Sequence, residues 1–156
     1  MIRPICPSDR AAFLALSRCF YDSPAVMHDI PEDYHRRTFD YLMTDPADAA
    51  CWILYPDTPD AQDDPVGYAL TAGTWSREAG GPVIWLEELF ILPEWQGGGM
   101  GHRFFADWLT ELKKQSPPPV RIRLEVEAEN EGAIRLYRRM GFEPMSYRNW
   151  SLEWPR

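Results

Sequence analysis

The chain has 156 residues, of which 45% are hydrophobic, and its 24 acidic and 16 basic residues give a net charge of −8. This length predicts a single domain, residues 1–156, and the hydrophobic content argues against a disordered chain. The acidic balance argues against a general nucleic-acid binder, which needs a basic face. It suits either a cationic partner or solubility alone.

Cysteine content and hydropathy indicate the compartment. Three cysteines, Cys6, Cys19 and Cys51, lack the spacing of metal ligands and predict reduced thiols. The first residues do not show a charged region followed by an apolar one, and no apolar run reaches the ~18 residues of a membrane span. We therefore expect a cytoplasmic protein without a membrane association.

Periodicity and breaker residues predict alternating helices and strands along the chain. Pro4 restricts the first strand to a sheet edge. Asn130 is a predicted N-cap and Gly141 a predicted C-cap of the last helix. The predicted elements are a strand at 1–6, a helix from 7–9 to about 21, a helix at 31–43, a strand at 51–55, a solvated hairpin loop at 56–65, strands at 66–75 and 83–92, a helix after the glycines to about 115, a strand at 120–127, a helix at 130–140 and one or two strands within 142–154.

One stretch, Trp85–His102, combines an apolar run containing Glu87 and Glu88 with a proline and four closely spaced glycines. An amphipathic segment follows it, which predicts a strand, a glycine turn and a helix. The free N–H groups and the dipole of a helix N-terminus bind anions, most often phosphate; the alternative is a flexible loop. A nucleotide-binding phosphate loop would need a Lys followed by Ser or Thr, which is missing, and the spacing of a dinucleotide-binding fingerprint is not met.

Two motifs carry a resemblance to a known family. The first is Gln96-x-x-Gly99-x-Gly101, preceded by Ile91-Leu92-Pro93, and the second is the segment from Asn130 to Phe142, in which Ala133, Leu136, Tyr137 and Gly141 match. The chain resembles the GCN5-related N-acetyltransferases (GNAT), with the diamine (spermidine/spermine-type) branch as the closest pattern. The resemblance implies an α/β (α+β) fold, a mixed, mostly antiparallel twisted sheet of six to seven strands with helices on both faces.

The resemblance also implies acetyl-CoA as co-substrate, no metal, and a primary amine as acceptor. By analogy, Glu87 is the base, directly or through water, Glu88 is its competitor, and Tyr137 protonates the departing thiolate. The implied cofactor-binding residues are Leu89, Phe90, Ile91, Gln96, Gly97, Gly98, Gly99, Met100, Gly101, His102, Asn130 and Ala133. The implied substrate-binding residues are Tyr21, Asp22, His28 and Glu125.

Several alternatives stay open at this point. Neighbouring strand residues face opposite sides of a sheet, so we expect only one of Glu87 and Glu88 to reach the reacting groups. Tyr137 is either an acid or a core aromatic, and Asn130 a cap, a ligand or both. The acceptor is either a small cationic amine or a peptide or protein N-terminus or lysine, and a non-catalytic acetyl-CoA-binding module is the alternative to an enzyme. Exposed final strands would permit a homodimer by edge pairing.

Overall fold

A mixed sheet of five strands forms the centre of the molecule. A computed structural model of the chain describes residues 1–26, 28–57 and 64–154. The elements in chain order are β1 (Ile2–Pro4), α1 (Arg10–Tyr21), α2 (Glu32–Leu42), β2 (Ala49–Leu54), β3 (Gly67–Ser76), β4 (Gly81–Ile91), α3 (Met100–Leu112), β5 (Arg121–Leu124) and α4 (Glu131–Arg139).

The strands lie in the order β1-β2-β3-β4-β5. All neighbours are antiparallel except β4 and β5, which run parallel. A parallel pair needs a crossover connection, and α3 supplies it. The short β1 occupies one edge, as expected from Pro4.

Helices cover both faces of the sheet because the strands alternate apolar side chains between two cores. On one face, α1 and α2 pack Phe13, Leu16 and Phe39 against residues of β2, β3 and β4. On the other face, Phe104, Phe105 and Trp108 of α3 form the second core, and α4 packs on its rim. The two faces are called the α1/α2 face and the α3/α4 face below.

The mixed α+β fold with helices on both faces confirms the prediction, with differences in detail. The predicted final strands are wrong: within the described residues no strand follows α4, and Trp150, Leu152 and Trp154 are exposed. The sheet therefore has five strands and not six to seven. The predicted loop at 56–65 lies partly outside the described residues, since 58–63 are not among them.

Single residues that end elements behave as predicted. The Asn130 side chain caps α4 by accepting a hydrogen bond from the Ala133 amide at 3.1 Å. Gly141 follows α4 with a φ of 87°, a left-handed value that favours glycine. None of the helices in the described part of the chain is long and apolar enough to cross a membrane.

Candidate active site

A β-bulge in the middle of β4 determines where the two adjacent glutamates point. Leu70 of β3 pairs with Glu88, whereas Thr71 pairs with Leu86, so Glu87 is the extra residue on β4. Leu86 and Leu89 both pack into the α3/α4 core. The two residues between them therefore both lie toward the α1/α2 face. The expectation that the two face opposite sides of the sheet is wrong, because the bulge interrupts the alternation of the strand. Which of them reaches the reacting groups stays a prediction.

Glu87 lies at the wall of a cavity of about 320 Å³ between α2 and the sheet. Its side chain makes no hydrogen bond or ion pair with another described residue. Partial burial raises the pKa of this carboxyl above its ordinary value, and the negative charge of Glu125 raises it further. A carboxylate at a cavity wall, without a partner and with a raised pKa, is suited to accept a proton.

Glu88 is held very differently from its neighbour. The Tyr21 hydroxyl donates to its Oε1 at 2.8 Å, and the Tyr68 hydroxyl donates to its Oε2 at 2.5 Å. Burial raises the Glu88 pKa, while the two phenol hydrogen bonds oppose that shift. Since both oxygens are already engaged, Glu88 anchors the C-terminal end of α1 to the sheet. Tyr68 was missed from the sequence because only the register of β3 against β4 brings it to Glu88.

The strands β4 and β5 separate beside the bulge. They pair from Val83 with Arg121 to Leu86 with Leu124, and β5 ends there. Beyond Leu86, β4 continues to Ile91 with β3 as its only described neighbour. The edge of β4 formed by residues 87–91 is therefore open toward β5. This stretch includes Leu89, Phe90 and Ile91, which the resemblance implied as cofactor-binding residues.

The glycine turn leads directly from this open edge into α3. Gly97 and Gly99 have φ values of 76° and 83°, which glycine adopts without strain. No atom lies within 4 Å of a Cβ built on Gly97 or Gly98, so a ligand can approach their backbone. Gly99 is the N-cap and offers no side chain to the first amides of α3, whose first turn lacks acidic residues. These features fit a phosphate group at the start of the helix.

The other predicted residues of the turn act in separate ways. The Gln96 side chain donates to the Ile91 carbonyl at 2.7 Å and so ties the turn to the end of β4. The Met100 side chain is buried in the core, which leaves only its backbone for a ligand. A Cβ on Gly101 would meet Leu136 Cδ2 at 2.6 Å, so Gly101 permits the close approach of α3 and α4. His102 is exposed on the first turn of α3.

Tyr137 of α4 lies at the rim of the α3/α4 core. Its ring packs edge-on against Phe105 and Phe142, with centroid distances of 6.1 and 5.9 Å. The hydroxyl has no hydrogen-bond partner within the described residues. Burial raises the pKa of Tyr137 to about 12, so the phenol keeps its proton at neutral pH. The residue is therefore both a packing aromatic and an available proton donor.

Two of the four predicted substrate-binding residues, Tyr21 and Glu125, lie near the pair of glutamates, and the other two do not line the cavity. Tyr21 is bonded to Glu88, and Glu125 lies close enough to Glu87 to raise its pKa. Asp22 and His28 are exposed on the segment after α1 and do not line the cavity. The cavity-lining residues, mostly missed from the sequence, are Arg37, Thr38, Tyr41, Leu42, Ala49, Leu70, Thr71, Ala72 and Glu87. Periodicity predicted the helix that contains Leu42 but indicated no cavity beside it.

Comparisons with known proteins bear on the fold and the family of the chain. No curated protein matches the chain. A possible acetyltransferase from Clostridium difficile 630 has a TM-score of 0.80 at 17% identity, over 100% of this chain and 98% of that one. The aminoglycoside N-acetyltransferase AAC(6')-Iy in complex with CoA has a TM-score of 0.75 at 16% identity, over 98% of this chain and 93% of that one. A ribosomal-protein-alanine N-acetyltransferase from Brucella melitensis biovar Abortus 2308 has a TM-score of 0.73 at 13% identity, over 99% of each chain.

Identities this low show a shared fold and nothing finer. The sequence pattern of the acetyltransferase (GNAT) family, however, matches residues 12–142, which is most of the chain and includes both motifs. The chain therefore belongs to the acetyltransferase (GNAT) family.

Proposed function

We propose that this acetyltransferase moves the acetyl group of acetyl-CoA to the nitrogen of a small cationic primary amine, with Glu87 as base and Tyr137 as acid. The single observation that carries the proposal is the bulge in β4. It puts an unpartnered carboxylate with a raised pKa at the wall of a cavity, next to the point where β4 leaves β5.

The co-substrate fits the open edge of β4 and the glycine turn. In this proposal the pantetheine arm lies against the backbone of Leu89, Phe90 and Ile91, and the pyrophosphate against the amides of residues 97–102. Asn130 and Ala133, at the N-terminus of α4, flank the arm. When bound, acetyl-CoA supplies the activated acetyl group as a thioester. No atom lies within 4 Å of a Cβ built on Gly97 or Gly98, which supports this arrangement because a phosphate group can then reach the backbone amides.

The protein's own residues would handle two protons. A primary amine has a pKa near 10.4 and is charged at neutral pH, so it must lose a proton before it attacks. Glu87 accepts that proton, directly or through water, because its raised pKa brings it closer to that of the donor. Tyr137, which keeps its own proton at neutral pH, donates it to the departing thiolate. Glu88 has both oxygens occupied by phenols and takes no part in either transfer.

The acceptor class rests on charge. Glu87 and Glu125 form a local negative potential, which favours an ammonium group over an anion. The likeness to the diamine acetyltransferase branch stays a prediction, as does the small cationic amine expected as acceptor. The alternative acceptor, a peptide or protein N-terminus or lysine, has support only from the name of the Brucella neighbour. A non-catalytic binding module would need no free carboxylate at this position, which makes that reading the weaker one.

The proposal needs no metal ion. Within the described part of the chain, no three His, Cys, Asp or Glu side chains form a group that could hold one.

The predicted homodimer also stays a prediction. Trp150, Leu152 and Trp154 are 91%, 86% and 82% exposed, and burying such side chains would favour association. Light scattering on the purified chain distinguishes a monomer from a dimer.

The experiment that tests the proposed function is thiol release from acetyl-CoA with a panel of amines, spanning alkylamines, diamines, polyamines, aminoglycosides, amino acids and short peptides. A thermal shift with acetyl-CoA is measured in parallel. We expect at least one amine to be acetylated, with EDTA having no effect. If acetyl-CoA raises the melting temperature but no amine of the panel causes thiol release, the proposed catalysis is contradicted. If acetyl-CoA does not change the melting temperature, the interpretation of the glycine turn is contradicted.

A further inference from the structure

The cavity beside Glu87 is lined in part by apolar side chains. Four of its nine residues are apolar, namely Leu42, Ala49, Leu70 and Ala72. These side chains come from α2, β2 and β3, so apolar surface is contributed by three different elements. A volume of about 320 Å³ lies at the lower end of the roughly 300–1,000 Å³ typical of small-molecule sites.

The four other polar residues of the lining already have partners. The Thr38 hydroxyl donates to the Tyr34 carbonyl at 2.9 Å, and the Thr71 hydroxyl donates to the Ala50 carbonyl at 3.2 Å. The Tyr41 hydroxyl donates to Asp48 Oδ1 at 2.5 Å.

The remaining polar residue, Arg37, has its charge paired. Its Nε lies 3.0 Å from Asp33 Oδ2, in an ion pair between neighbouring turns of α2. Its side chain is 66% exposed and therefore lies at the mouth of the cavity. Of the nine lining residues, only Glu87 has a polar side chain without a hydrogen bond or ion pair to another described residue.

Building on the proposed function, we propose that the cavity accepts a primary monoamine, in which one ammonium group is attached to an apolar body and is the only charge. The ammonium group meets Glu87, and the apolar body lies against Leu42, Leu70 and the two alanines. A second ammonium group would find no free carboxylate in the lining and would approach the positive charge of Arg37. A row of hydroxyls would lie against apolar side chains, and both arrangements are unfavourable. Diamines, polyamines and aminoglycosides are therefore poor acceptors.

A matched pair of acceptors tests this inference. Pentylamine and 1,4-diaminobutane have chains of equal length and differ in one terminal group, a methyl in the first and an ammonium in the second. We expect kcat/KM for pentylamine to exceed that for 1,4-diaminobutane by at least about tenfold. We also expect it to exceed that for methylamine by at least about tenfold, because one buried methylene alone contributes roughly that factor and pentylamine has four more carbons.

A pair of variants tests whether the cavity itself makes the selection. Ala49→Leu adds a side chain into the cavity, whereas Ala50→Leu adds the same atoms at the adjacent exposed position on β2, outside the lining. Ala49→Leu should lower kcat/KM for pentylamine about tenfold more than it lowers kcat/KM for methylamine. Ala50→Leu should change neither. Thermal unfolding of both variants verifies that they fold, and the pentylamine comparison in the natural chain stands without them.

The outcomes separate this inference from the proposed function. Equal or better use of 1,4-diaminobutane would overturn the monoamine inference while the acetyltransferase proposal stood. Equal effects of Ala49→Leu and Ala50→Leu would also overturn it, since the cavity would not be the acceptor site. If no amine is acetylated although acetyl-CoA raises the melting temperature, the proposed function itself fails.

Discussion

Replacing Glu87 with glutamine should lower activity without lowering stability, whereas the same change at the adjacent Glu88 should lower stability. Glu87→Gln removes an unpartnered carboxylate and leaves the fold intact, because that side chain makes no hydrogen bond with a described residue. A general base contributes about 10²- to 10⁴-fold. We therefore expect kcat/KM to fall by at least about 100-fold, which corresponds to ~2.7 kcal/mol at 1.36 kcal/mol per tenfold. The melting temperature should stay within about 1 °C of that of the unchanged chain, since surface substitutions of this kind have small effects.

Glu88→Gln should instead destabilise the protein. The carboxylate accepts one hydrogen bond from Tyr21 and one from Tyr68, and a glutamine amide has only one oxygen to replace the two. One phenol is left facing an NH₂ group, and losing a hydrogen bond to a charged group costs about 1.5–3 kcal/mol. For a chain of this size that corresponds to a melting temperature lower by roughly 3–12 °C.

The assay is thiol release with a fixed amine at pH 7, together with thermal unfolding of each variant. Glu143→Gln, which removes an exposed carboxylate without a described partner, is the matched control for the loss of charge. Full activity of Glu87→Gln would refute the assignment of the base. A folded Glu88→Gln variant with unchanged stability would refute the anchoring role of Glu88.

The pH dependence of kcat/KM follows from the same groups. The raised Glu87 pKa predicts that activity falls, as the pH is lowered, at a higher pH than an ordinary glutamate near 4.3 would give. Glu125→Gln removes the like charge beside Glu87, lowers its pKa and should move this acid limb to lower pH. An unmoved limb would mean that another group titrates there.

Three further substitutions test separate parts of the structure. Tyr137→Phe should lower kcat with little change in thermal stability, since its hydroxyl has no partner in the described residues; unfolding of this variant would favour a purely structural role. Gly101→Ala should lower the free energy of unfolding by about 1 kcal/mol in chemical denaturation, because the new Cβ would lie 2.6 Å from Leu136 Cδ2 and displace that side chain, while the helix propensity of alanine offsets part of the cost. Asp9→Asn should cost about 2 kcal/mol at pH 7, because two hydrogen bonds from Arg3 lower the pKa of this buried carboxyl to about 2. Because the folded-state pKa of Asp9 is depressed, its contribution to stability is lost as the pH falls from about 4 to 2. The difference in the free energy of unfolding between Asp9→Asn and the natural chain should therefore shrink over this range, and a constant difference would contradict the role of Asp9.

Local signals in the sequence predicted those features that depend on neighbouring residues. The clustered glycines predicted the turn before α3, and Asn130 and Gly141 predicted the ends of α4, because caps and left-handed residues act over one helical turn. The alternating charges around Ile122 predicted β5, although the strand ends at Leu124 and not at 127.

Features that depend on pairing between strands were not predictable in this way. The bulge at Glu87 exists only in the register of β3 against β4, so strand alternation alone gave the wrong relation between Glu87 and Glu88. The same register brings Tyr68 to Glu88. The cavity depends on the distance between α2 and the sheet, which no periodicity encodes.

The most direct test of the account is a crystal structure with CoA and an amine acceptor bound together. We predict the pantetheine arm between β4 and β5, the pyrophosphate at the amides of residues 97–102, and the amine nitrogen within hydrogen-bond distance of Glu87 or of a water molecule bound to it. An amine on the α3/α4 face, or one whose nearest carboxylate is Glu88, would contradict the account.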